Sequence, residues 1–118
     1  METQVQNTSL DEVSKQPPLA DVAKIKHILT DGVYVKAYLV PKGMRVTSKK
    51  FDHAHLIILA QGSMIREMPD GTRAKYTAPA HFNLPANTRE SGVTLEDCTW
   101  YCIHPTDETD PDVLWEKY

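Results

Sequence analysis

Chain breakers recur through this sequence at near-regular spacing, and no long amphipathic helical period runs between them. Asp31-Gly32, Pro41-Lys42-Gly43, Met68-Pro69-Asp70-Gly71-Thr72, Pro79, Pro85-Ala86-Asn87 and Ser91-Gly92 are turn signals, because Gly, Pro, Asn and Asp supply the backbone angles that turns demand. The runs between them are rich in β-branched and aromatic residues. Val33 to Val40 is the clearest strand, Met44 to Thr47 a short one and His53 to Gln61 a long one, while Ser63 to Glu67 and Arg73 to Thr77 flank a turn as the arms of a hairpin do. Val93 to Glu96 and Thr99 to Ile103 complete the series, and Asp21 to Ile28 fits either a helical turn or a first strand. No long amphipathic helix and no internal repeat is present. The pattern predicts an all-β sandwich, barrel or jelly roll.

At 118 residues, with 41% hydrophobic content, the chain supports one core. Residues 1–18 read as a flexible polar arm ending at Pro17-Pro18, residues 19–106 as the folded domain, and residues 107–118 as an acidic tail. Within that tail Val113-Leu114-Trp115 is apolar enough to dock on the body. A net charge of −3 argues against nucleic acid as a partner. No apolar run reaches the roughly 18–20 residues of a membrane helix, and no basic start precedes a hydrophobic stretch, so a cytoplasmic protein with no membrane partner is expected. Cys98 and Cys102, four apart on one strand, are too distant to bridge and read as buried free thiols in a reducing compartment.

Five histidines, at positions 27, 53, 55, 81 and 104, carry the chemical signal. On a strand His53 and His55 project from the same face, close enough for both imidazoles to reach one metal ion or, equally, to bond to backbone and water on a half-buried face. Both faces of that strand are mostly apolar, which predicts cover on each side, by a second sheet and by the N-terminal segment or a second copy in a homodimer. His104, on the same face of the last strand as Trp100 and Cys102, is a candidate fourth ligand or acid/base, or a strand-end cap. His81 falls near a rim, and His27 reads as incidental.

These residues resemble the cupins, small jelly rolls that bind a metal or small ligand inside a double-stranded β-helix barrel. Gly43 and Gly62 match the two ends of the family's first motif, and Pro85-Ala86-Asn87-Thr88-Arg89-Glu90 resembles the Pro-x-Gly-x-x-His core of its second. The likeness covers residues 33 to 104 and extends to small cupin-like proteins of bacteriophages. In strict register, however, Lys49 and Phe51 stand where the family has its two histidines, His55 where it has glutamate, and Glu90 where the second motif has histidine. Pro79, Asn87 and Thr94 replace the second motif's two glycines and its Asn. Asn87 is a mild change, since Asn tolerates the left-handed backbone.

The resemblance leaves two readings. In the first, His53, His55 and Glu90 form a rewired two-His, one-carboxylate set for Fe, Mn, Ni or Zn, serving a dioxygenase- or isomerase-like enzyme with His104 or Lys49 handling protons. In the second, the metal is absent and Lys49, His55, Glu90 and Trp100 line a non-catalytic pocket that holds a small anionic or sugar-like molecule, a Lys49–Glu90 ion pair being its plainest form.

Overall fold

The computed structural model describes residues 24–118; the expected arm, residues 1–18, lies outside the described residues. Nine strands and one helix follow in chain order: β1 (Lys24–Thr30), β2 (Val33–Val40), β3 (Arg45–Thr47), β4 (His55–Gln61), β5 (Ser63–Glu67), β6 (Arg73–Thr77), β7 (Ala80–Leu84), β8 (Ser91–Thr94), β9 (Cys98–Pro105) and α1 (Pro111–Lys117). They form two antiparallel sheets, one ordered β1-β2-β9-β4-β7 and the other β3-β8-β5-β6. The first segment is therefore a strand and not a helical turn. Asp31-Gly32 makes a two-residue hairpin loop between Thr30 and Val33, with Gly32 at φ +77°.

Two expectations shift. β4 begins at His55, so His53 lies in the bend before the strand and not on its face. Ser91-Gly92, expected as a turn, opens β8, where Gly92 faces Val46 and Arg66 across the ladder. A Cβ on Gly92 would lie 2.7 Å from Met64 Cε, so the small residue reflects close packing between strands. No helix among the described residues is long and apolar enough to cross a membrane.

Side-chain alternation turns Tyr34, Lys36, Tyr38 and Val40 of β2, Trp100, Cys102 and His104 of β9, and His55, Ile57 and Leu59 of β4 to the inner face of the larger sheet. Register then sets these residues in rows. One row runs Ile25, Tyr38, Trp100, Leu59, Ala80; the next runs His27, Lys36, Cys102, Ile57, Phe82. The first row sits over the core, where Val40, Met44, Leu59, Met64, Cys98 and Trp100 pack together from both sheets. Cys98 and Cys102 are buried free thiols. The second row, together with Ile25, Tyr38 and Trp100 of the first, lines a cavity. On the outer face of β4 Leu56 is 38% exposed and Ile58 half-buried, so among the described residues that side is only partly covered.

Asp110 caps the N-terminus of α1, its side chain accepting from the backbone N–H of Asp112 at 3.0 Å. The helix buries Leu114, followed by Tyr118, against Tyr34, with Phe51 packed alongside. Val113, by contrast, is exposed. The end of the acidic tail is thus part of the packed body.

Candidate ligand-binding site

A cavity of about 410 Å³ lies between the two sheets, within the range of small-molecule sites. Ile25, Tyr38, Val46, Ile57, Met64 and Trp100 give it apolar walls. Its polar groups fall into two separate clusters.

One cluster is Arg66 with Glu90. Arg66 Nε and Nη2 donate to the two Glu90 carboxylate oxygens at 2.5 and 2.9 Å, a bidentate pair that is nearly buried on both sides. Arg66 Nη1 also donates to Tyr76 Oη and Nη2 to the Asn83 carbonyl, and the guanidinium carbon lies 4.3 Å from the Phe82 ring centroid. The Glu90 hydrogen bonds raise the guanidinium pKa. The Glu90 backbone N–H is in turn held by Ser48 Oγ at 2.9 Å. The expected Lys49–Glu90 ion pair is not made: Glu90 belongs to Arg66, and Lys49 Nζ donates to the Tyr118 backbone carbonyl at 3.3 Å.

The second cluster is aromatic. His55 and His104 stack at 4.2 Å between centroids, and Phe51 sets its edge against both, at 5.4 and 4.9 Å. His53 reaches the group from the bend, its Nε2 lying 3.0 Å from His104 Nδ1 and its Nδ1 3.0 Å from Asp52 Oδ1. An ionised Asp52 only accepts, so His53 Nδ1 carries the hydrogen; in neutral His53, Nε2 then accepts from His104 Nδ1. Tyr118 covers the cluster, 4.6 Å from His104 and 5.3 Å from His53.

Burial keeps His55 and His104 neutral. Desolvation first, then the charge of His53 and Lys36, pushes His55 down to about 4; desolvation, then His55, His53 and Lys36, pushes His104 down to about 3. His55 Nδ1 is buried without a hydrogen-bond partner. A buried polar atom with no partner is rare in a folded protein, and this one belongs to a residue that lines the cavity.

The anticipated metal set does not fit this arrangement. Both oxygens of Glu90 are committed to Arg66. His53 is off the strand and bonded to Asp52 and His104, while stacked His55 and His104 hold their in-plane lone pairs in near-parallel planes rather than converging on a point. Among the described residues no three His, Cys, Asp or Glu side chains are arranged to hold an ion. His81 is exposed on β7. His27, expected to be incidental, lines the cavity and hydrogen-bonds through Nδ1 to Tyr34 Oη.

Lys36 is the site residue that the motifs did not indicate. It is only 7% exposed, lines the cavity between His27 and Cys102, and has no carboxylate partner among the described residues. Burial first, and then the charge of Lys49, lowers its ammonium pKa to about 8. The signal was present in Val33-Tyr34-Val35-Lys36-Ala37-Tyr38-Leu39-Val40, where a lysine interrupts a strand that is apolar on both faces. Arg66 and Tyr118 were also missed.

The chain has the cupin fold. A cupin-2 domain protein from Shewanella frigidimarina superposes with a TM-score of 0.60 at 15% identity, covering 85% of this chain and 98% of that one. KdgF from a Halomonas species gives a TM-score of 0.65 at 16% identity over 82% and 88% of the two chains. An RmlC-like cupin protein from Desulfovibrio desulfuricans gives 0.60 at 10% identity over 77% and 91%. No protein-family model matches the chain, and no curated protein matches it by sequence.

Proposed function

We propose that this protein is a cupin whose metal-binding residues have been replaced, and that it binds a small organic anion in the cavity between its sheets. On this reading the two sheets are the halves of a jelly-roll barrel. Lys36 within the cavity and Lys49 at its rim are the charge partners, and His55 Nδ1 supplies a directional hydrogen bond. The wall of Tyr38, Ile57, Met64 and Trp100 takes the apolar body of the ligand.

One observation carries the proposal: a buried lysine faces the cavity with no carboxylate to balance it. A desolvated ammonium is costly unless it is paired, and an incoming anion provides that pair. The Arg66–Glu90 pair cannot serve, because its charges already cancel. Calorimetric titration with a panel of aromatic and branched aliphatic carboxylates tests this. Binding should weaken more than tenfold in both Lys36→Met and Lys49→Gln and should weaken with added salt; equal affinity for the matching uncharged amides overturns the reading.

A further inference from the structure

Lys36 can do more in this cavity than neutralise charge. It is a buried residue that lines the cavity, in the row His27, Lys36, Cys102, while the second lysine is exposed and stands at the rim. These positions divide the labour. A ligand whose carboxylate meets Lys49 at the rim presents the atoms next to that carboxylate to the inner amine. From this placement we infer that Lys36 is a nucleophile that forms an imine with a 2-oxo acid bearing an apolar or aromatic tail. The inference rests on the anion-binding reading above and names its substrate class.

The chemistry balances without an oxidant or reductant. The free amine of Lys36 attacks the ketone carbon; a C–N bond forms, the carbonyl electron pair moves to oxygen, and a proton passes from the nitrogen to that oxygen to give a neutral carbinolamine. The nitrogen lone pair then expels the hydroxyl, which takes one proton from solvent and leaves as water, and the C=N bond remains as an iminium beside the carboxylate. Desolvation and the neighbouring charge of Lys49 increase the fraction of free amine near neutrality, the usual way a lysine is activated. Cys102, the adjacent nucleophile, does not compete, because burial pushes its thiol up to about 12. The tail of the acid fits against the stacked Tyr38 and Trp100 rings, 5.8 Å apart.

The test uses the full chain with phenylpyruvate as the carbonyl probe and phenyllactate as its carbonyl-free counterpart. Phenylpyruvate is trapped with cyanoborohydride and the adduct located by peptide mass mapping; phenyllactate binding is read by calorimetry. A single adduct on Lys36, suppressed by excess phenyllactate, is expected. Lys36→Arg should still bind phenyllactate while adduct formation falls at least tenfold, and Lys36→Met should show the same loss of adduct if the longer Arg overfills the cavity. Adducts spread over exposed Lys24, Lys26, Lys42 and Lys50 with Lys36 unmodified overturn the inference. Phenyllactate binding with no trapped adduct overturns the imine and leaves the anion reading standing, whereas a chain that neither binds nor reacts overturns both.

Discussion

His55 and His104 lie face to face, 4.2 Å between ring centroids and nearly parallel, although 49 positions separate them in sequence. Two stacked imidazoles under a cover of Phe51 and Tyr118 lose the hydration that a charged ring needs, so the folded chain holds both rings neutral. In the unfolded chain each protonates near 6.5. Both folded values lie below that, at about 4 and about 3, so the unfolded state binds more protons at every pH between. The stability contributed by these neutral rings is full above about 6.5 and is lost as pH falls through the folded values. Denaturant melts from neutral pH to about pH 4 should show a loss of about 2 kcal/mol, discounted for the water in the open cavity. His104→Gln should flatten the slope; an unchanged slope contradicts the assignment.

The Arg66–Glu90 pair should behave as a unit. Arg66→Met leaves a carboxylate buried without its partner and should cost about 3 kcal/mol in urea unfolding. Adding Glu90→Leu should recover most of that loss. If the double variant is as weak as the sum of the singles, the pair is not the unit described.

Gly62 tolerates no side chain. Its φ is +89°, and a Cβ would lie 2.4 Å from the Asp97 carbonyl oxygen and 2.8 Å from Cys98 Sγ. Gly62→Ala should therefore cost upward of about 2 kcal/mol, from backbone strain and displacement of the β8–β9 turn together. Gly71→Ala, at a similar φ of +88° but with open space around it, should cost only about 1 kcal/mol, isolating the collision from the torsion. Equal losses in the two variants would show that the contact with Asp97 relaxes.

Lys36→Met should raise stability while ending anion binding. An amine is replaced by an apolar chain of similar length in a mostly apolar cavity, which should gain about 1 kcal/mol and show as a higher Tm. A lower Tm would mean that Lys36 is structurally paired.

Treatment with a strong chelator should leave Tm and ligand binding unchanged, because Glu90 is committed to Arg66 and His53 to Asp52 and His104. A Tm lowered by chelation and restored by added Zn(II) would reverse this expectation.

Much of the strand layout was legible because local chemistry and tertiary structure agree. Asp31-Gly32 ends β1 and starts β2 where the breakers imply, and Ser63 to Glu67 and Arg73 to Thr77 form the expected hairpin. Asn87 takes the left-handed backbone, at φ 57°, that its place in the degenerate second motif requires. His53 was misread because period-two alternation does not reveal where a strand begins; the bend at Asp52 frees it from the face of β4. Glu90 was read as a metal ligand because its true partner, Arg66, lies 24 positions away on a strand that no motif ties to it. Docking of the C-terminal segment was legible in Val113-Leu114-Trp115, but that it carries Tyr118 onto the histidines was not, because the contact depends on how the short helix α1 seats. The site thus depends on pairings between distant segments, whereas the strands depend on neighbours.

The placement of Lys36 in the middle row of the larger sheet has a further effect on how the chain finds its fold. Moving β2 by one residue against β9 would turn the lysine outward to water and bring Val35 inward in its place. That slip relieves a buried amine, so charge burial alone favours the wrong alignment. What opposes it is the tight Asp31-Gly32 loop on one edge and the large Tyr34, Tyr38 and Val40 side chains that would leave the interior along with the lysine. The chain holds its reactive group in place with its aromatic residues, and a weakened loop should show first as a population of molecules that are folded but cannot bind.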